Sequence, residues 1–138
     1  SSPSGKVIAM AFNILLVDDS VTVRAVISKA LNLAGVDINL LYQAGNGEEA
    51  LKILEAEWID LVLCDISMPV MDGETMVARM VENGMIKSVP VVIVSSAGSE
   101  PRIARLKEMG VRDYIQKPFT PERIREVVDN VTGVAKDA

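Results

Sequence analysis

The sequence predicts an α/β protein, a five-stranded parallel sheet flanked by five helices. Three observations point there. Short apolar runs alternate with longer amphipathic stretches five times, with no internal repeat and no linker, the pattern of one parallel sheet covered on both faces. The run Leu61-Val62-Leu63-Cys64 carries no charge, which suits a strand with neither face in water. Capping residues (Ser20, Asn46, Thr120) and closing glycines (Gly35, Gly110, Gly133) bracket the helical stretches.

In chain order, the first strand is expected over 13–17, ending in Asp18-Asp19. Ser20 then caps a helix to about residue 34, whose inward stripe is Val23, Val26, Ile27, Ala30, Leu31 and Ala34. A second strand covers 38–43. Asn46-Gly47 opens a second helix with Glu48 and Glu49 in its first turn, where the helix dipole favours anions, and with Ala50, Leu51 and Leu54 inward. The third strand, about 60–64, ends in Asp65. The third helix, about 73–82, buries Met76, Val77, Met80 and Val81; this Met-rich stripe reads as core filling. The fourth strand, 89–95, ends in Ser95-Ser96-Ala97-Gly98. Pro101 suits the first turn of the fourth helix, and the fifth strand covers 112–116, stopped by Lys117-Pro118. The fifth helix, from Thr120 and Pro121, turns Ile124, Val127, Val128 and Val131 inward. Residues 1–12 read as a tail, 13–133 as one domain and 134–138 as a second tail. Met10 reads as the native start, with 1–9 a cloning remnant.

Composition narrows the function. A net charge of −5 argues against direct nucleic-acid binding, which needs a basic face. The single cysteine allows no internal disulfide, so a reducing, cytoplasmic setting is expected. No apolar run approaches the roughly 20 residues of a membrane span. The chain has no histidine. Histidine bases and ligands are therefore excluded, and any phosphohistidine must belong to another molecule.

The carboxyl ends of parallel strands share one edge, where open α/β folds place their chemistry. Here those ends carry Asp18-Asp19, Asp65, Ser95 and Lys117. Taken singly, each has an ordinary explanation: a helix cap, a polar turn, a satisfied turn hydroxyl, a solvated lysine. Taken together they put four functional groups at four strand ends. Three carboxylates at one edge repel one another, and either protonation or a hard divalent cation relieves them. With no histidine or thiolate beside them, the cation reads as Mg²⁺ rather than Zn²⁺.

The set Val-Asp18-Asp19-Ser, Cys-Asp65-Ile-Ser-Met-Pro-Val-Met-Asp-Gly, Val-Ser95-Ser-Ala and Tyr114-Ile-Gln-Lys117-Pro-Phe resembles the receiver domain of bacterial two-component response regulators, and most the compact chemotaxis type. The likeness runs from about residue 13 to 131. It implies the flavodoxin-like strand order 2-1-3-4-5. It also implies a phosphorylation-dependent signalling switch rather than an enzyme, with self-catalysed phosphoryl uptake and autodephosphorylation only. Asp65 becomes the phosphoacceptor. Asp19 ligates Mg²⁺ directly, Asp18 acts mainly through a bound water, and the backbone carbonyl of Ser67 and the carboxylate of Asp65 complete the protein's share. Lys117 pairs with the phosphoryl oxygens, across a Lys117–Pro118 bond that is typically cis in such domains. Ser95 is the switch hydroxyl and Tyr114 the aromatic that moves with it. The face of the fourth helix, fifth strand and fifth helix then changes shape. The implied partners are a sensor histidine kinase as phosphodonor and a downstream protein target or output domain, with neither nucleic acid nor membrane insertion.

Ser96 departs from the alanine or glycine usual there, and Ser67 and Ala97 are small at positions that tune water access, which predicts an acyl phosphate that is not strongly shielded. Cys64 beside Asp65 points away by strand alternation and reads as core. Three rivals compete. Gly45-Asn46-Gly47-Glu48-Glu49-Ala50 followed by Asp65 fits a dinucleotide-binding fingerprint, but it follows the second strand and leaves Ser95 and Lys117 unexplained. A phosphatase with an aspartyl nucleophile would share the chemistry but needs a second aspartate where Ser67 stands, and a cap insertion. A receiver excised from a larger regulator would keep the fold and change the output.

Overall fold

A computed structural model describes residues 11–96 and 98–133; the expected remnant over 1–9, Met10, Ala97 and the tail over 134–138 lie outside the described residues. Five strands, β1 (Phe12–Val17), β2 (Ile38–Ala44), β3 (Leu61–Cys64), β4 (Val91–Ser95) and β5 (Asp113–Gln116), form one parallel sheet in the order β2-β1-β3-β4-β5. This is the expected 2-1-3-4-5. The register sets Val17 beside both Ala44 and Cys64, and Ser95 beside Gln116, so the strand ends line one edge.

Six helices stand among the described residues rather than five: α1 (Val21–Leu33), α2 (Gly47–Ala56), α3 (Gly73–Glu82), α4 (Met85–Ser88), α5 (Glu100–Met109) and α6 (Pro121–Thr132). The addition, α4, is one turn opened by Gly84 at φ +83°, a conformation glycine adopts without steric cost. It packs Ile86 into the core and delays β4 to Val91. Ser20, Asn46, Asp72, Ser99 and Thr120 cap the five longer helices through side-chain oxygens.

Each strand feeds both faces of the sheet. Leu15, Val17, Val62, Cys64, Val91 and Ile93 pack with α2, α3 and α5. Ile14, Leu16, Leu61, Leu63, Val92 and Val94 pack with α1 and α6. All are essentially solvent-free, and each large aliphatic side chain so buried contributes roughly 1.5–3 kcal/mol. Two stripe residues depart from expectation. Val26 is 55% exposed and Val81 is 44% exposed, because each lies at the margin of its helix's apolar arc, beyond the width that one sheet face covers. No helix among the described residues is long and apolar enough to cross a membrane.

Candidate functional site

The strand-end carboxylates meet. One oxygen each from Asp18, Asp19 and Asp65 lies within 4.8 Å of the others. Asp18 is buried at 2% exposure and fully engaged. Its Oδ1 accepts from the Ser20 N–H (2.9 Å), its Oδ2 from Lys117 Nζ (2.9 Å), and its own N–H donates to Ala44 O (3.1 Å). Asp65 continues β3: its N–H donates to Val17 O (2.9 Å), and its Oδ1 accepts from the Ile66 N–H (2.7 Å). Lys117 Nζ also stands 3.5 Å from Asp65 Oδ2. Asp19 is exposed, with no side-chain hydrogen bond among the described residues. One lysine therefore faces three carboxylates, a negative excess suited to a hard divalent cation. The oxygen-only donor set fits Mg²⁺.

Ser95, buried at 1% exposure, ends β4. Its carbonyl accepts from the Lys117 N–H (3.2 Å) and from the Tyr114 hydroxyl (2.9 Å), so the two expected switch residues are bonded directly. Tyr114 is half-buried, and its own carbonyl accepts from Arg123 Nη2 (3.1 Å). The Lys117–Pro118 bond is cis. Ser67 lies exposed in the β3–α3 loop, as does Ser96 beyond β4.

The β3–α3 loop holds a feature that composition did not announce. The Met71 N–H donates to Pro69 O (2.7 Å) across Val70, whose φ is +66°; a two-residue bond of this hand makes a rare, strained γ-turn. Val70 is β-branched and 77% exposed at its apex. Neighbours hold the loop in place: Met71 O accepts from the Gly47 N–H (2.8 Å) and Ile66 O from the Gly73 N–H (2.8 Å). A Val70→Gly protein should be more stable by about 1 kcal/mol, because glycine takes positive φ without the Cβ clash of a β-branched residue, a relief larger than its entropy cost. Urea unfolding measures this, and equal or lower stability would show that the apex carries no strain.

Cys64 is core, as expected: fully buried, its thiol donating to Asp65 O at 3.0 Å. Burial first, then the carboxylates of Asp65, Asp18 and Asp72, pushes its pKa far above the ordinary thiol value. Once an unfolded thiol ionises, above about pH 8.5, the folded chain holds a proton that the unfolded chain releases, so stability falls by about 1.4 kcal/mol per pH unit. In chelator, the parent should therefore lose about 1 kcal/mol more than Cys64→Ala between about pH 8.5 and 9.5 in urea titrations, since the thiol is only half ionised at the start of that interval. Parallel pH profiles would contradict the shift.

The glycine motif is not a phosphate cradle. The Gly45 N–H donates to Glu49 Oε1 (2.8 Å) and the Gly47 N–H to Met71 O, while Asn46 Oδ1 caps α2. The amides a pyrophosphate would need are already bonded, which removes the structural basis of the dinucleotide reading.

Sequence reasoning missed Arg24, near the amino end of α1. Its Nε donates to Gln43 Oε1 (2.9 Å) and its Nη1 to the Asp18 carbonyl. The available signal was its sign, since a cation there opposes the helix dipole.

Comparison with known proteins agrees with this geometry. Residues 14–129 match the family model of the response regulator receiver domain. The chain belongs to the response regulator receiver domain family. This receiver is 33% identical over 121 residues to chemotaxis protein CheY1 of Helicobacter pylori, covering 87% of this chain and 96% of that protein. Among solved structures it resembles that of a CheX–CheY–BeF3–Mg²⁺ complex from Borrelia burgdorferi (32% identity, TM-score 0.77, 87% and 88% of the two chains). It also resembles chemotaxis protein CheY4 of Vibrio cholerae (30%, TM-score 0.76, 89% and 99%). The receiver is thus a CheY-like signalling domain of the two-component type. Such domains take phosphoryl groups from histidine kinases, bind Mg²⁺ at an acidic pocket and act on downstream targets.

Proposed function

We propose that this receiver accepts a phosphoryl group on Asp65 from a sensor histidine kinase in the cytoplasm, and that the modified domain acts on a protein target or output domain. The observation that carries the reading is the placement of Lys117 Nζ, 2.9 Å from Asp18 and 3.5 Å from Asp65, beside three clustered carboxylates. Asp18, Asp19, Asp65 and the Ser67 carbonyl would hold Mg²⁺. Bound there, the ion offsets the charge of the carboxylates and the phosphoryl oxygens.

Asp65 supplies the nucleophile. Its carboxylate oxygen forms a bond to phosphorus as the donor's N–P bond breaks, and the electron pair returns to the imidazole nitrogen, which takes a proton. Charge spreads over the phosphoryl oxygens, and Lys117, already between the two carboxylates, is placed to follow it. Attack of water on phosphorus later releases phosphate and restores Asp65; no reaction on an external substrate is needed. The new group adds about two negative charges at the strand ends. Ser95 reaches toward it and Tyr114, bonded to the Ser95 carbonyl, moves with it, which reshapes the face of α5, β5 and α6.

Treatment with acetyl phosphate or beryllofluoride, with and without Mg²⁺, tests this reading by mass spectrometry and NMR. The expected result is modification at Asp65 that requires Mg²⁺ and shifts the Ser95 and Tyr114 resonances. Modification elsewhere, or uptake indifferent to Mg²⁺, would overturn it.

A further inference from the structure

We propose that Arg24 is a positioning residue of the metal site: it grips the peptide plane between Asp18 and Asp19 and so sets the starting direction of the cluster carboxylate that, among the described residues, no side-chain hydrogen bond holds. The inference rests on the proposed Mg²⁺ reading and concerns a residue to which that reading gives no role.

The three carboxylates are not held alike. Asp18 is fixed at both oxygens and Asp65 at Oδ1. Asp19 is exposed, and no hydrogen bond to its side chain exists among the described residues. What the described contacts can fix of Asp19 is therefore its backbone, and with it the Cα–Cβ direction from which the carboxylate starts. The peptide group that enters Asp19 consists of the Asp18 carbonyl and the Asp19 N–H in one rigid plane. The Asp18 carbonyl accepts from Arg24 Nη1, while Nε of the same guanidinium donates to Gln43 Oε1 on β2 at 2.9 Å. The planar fork thus ties the β1–α1 turn to the neighbouring strand, and two bonds on one rigid group restrict rotation more than one bond can.

Arg24 forms no ion pair with a carboxylate among the described residues. Its charge stands near the acidic cluster without neutralising any member of it. This separates two roles by sign. If Arg24 acted through charge alone, removing it would strengthen Mg²⁺ binding by lifting a repulsion between cations. If it acts by orientation, removing it weakens binding, because Asp19 then samples directions away from the ion. Loss of a partner that orients a metal ligand typically costs about 10- to 100-fold in affinity.

The test measures Mg²⁺ dissociation constants by calorimetry for the full chain and for Arg24→Ala, Arg24→Lys and Gln43→Ala. It also measures melting temperatures and the backbone order parameter of the Asp19 amide without metal. Arg24→Ala should weaken Mg²⁺ about tenfold, with Arg24→Lys recovering part of the loss through a single bond to the Asp18 carbonyl. The Asp19 order parameter in Arg24→Ala should fall from near about 0.85 toward about 0.6. Gln43→Ala, which keeps the cation and removes one anchor of the fork, should weaken binding by a smaller factor. Unchanged or tighter Mg²⁺ binding in Arg24→Ala overturns the proposal, as does an unchanged Asp19 order parameter. If Arg24→Ala does not fold, Gln43→Ala decides: a constant equal to the parent's overturns it. Failure of the parent chain to bind Mg²⁺ would instead overturn the function proposed above.

Discussion

An Asp65→Asn protein is expected to fold, to be more stable than the parent without metal, and to take up no phosphoryl group. Asparagine keeps the oxygen that accepts from the Ile66 N–H at 2.7 Å, so the start of the β3–α3 loop retains its anchor. It removes one charge from three carboxylates whose oxygens lie within 4.8 Å and leaves Lys117 paired with Asp18 at 2.9 Å. Relief of like-charge repulsion should raise stability by roughly 1 kcal/mol. The amide nitrogen has no lone pair free for attack on phosphorus, so uptake should fall to background, and Mg²⁺ affinity should fall with the lost ligand. Thermal melts and acetyl-phosphate labelling measure the two effects separately. A stable variant that is still labelled would place the acceptor at Asp18 or Asp19.

The second large effect is expected at Gly73. A Cβ there would stand 2.2 Å from the Asp65 carbonyl oxygen and 3.1 Å from Ile66 Cα. Both are backbone atoms and cannot rotate away. Gly73→Ala must therefore push the loop off its anchors, among them the bond from the Gly73 N–H to Ile66 O. Alanine's advantage over glycine in a helix, about 1 kcal/mol, does not offset an overlap of this depth. A loss of about 3 kcal/mol is expected in urea unfolding. Phosphorylation should slow about 100-fold, since a displacement of about 1 Å at a reacting group costs on that order. Parent-like stability would mean that the close approach relaxes without strain.

Much of this was legible in the chain. The strands were plain because two-sided burial leaves uninterrupted apolar runs such as Leu61 to Cys64, and the helices because their caps and glycines stand at fixed offsets. The meeting of Asp18, Asp19, Asp65, Ser95 and Lys117 followed from a single rule, that parallel strands end on one edge. What escaped was set by contacts rather than by pattern. A single turn such as α4 is too short to show a helical period. Val26 and Val81 belong to the apolar arcs by spacing, yet the sheet is not wide enough to cover them. The γ-turn at Val70 ran against the residue type, because neighbouring bonds from Gly47 and Gly73 impose it. Arg24 was passed over because its work is done on a backbone carbonyl, a partner that no side-chain pattern encodes.

The Ser95 carbonyl, which takes bonds from both the Lys117 N–H and the Tyr114 hydroxyl, has a mechanical consequence. The residue carrying the cation of the acidic notch and the half-buried ring of Tyr114 hang from one oxygen atom. A small tilt of that terminal peptide unloads or tightens both together. The backbone of Lys117 and the side chain of Tyr114 are thereby coupled through one shared acceptor rather than through a chain of separate contacts.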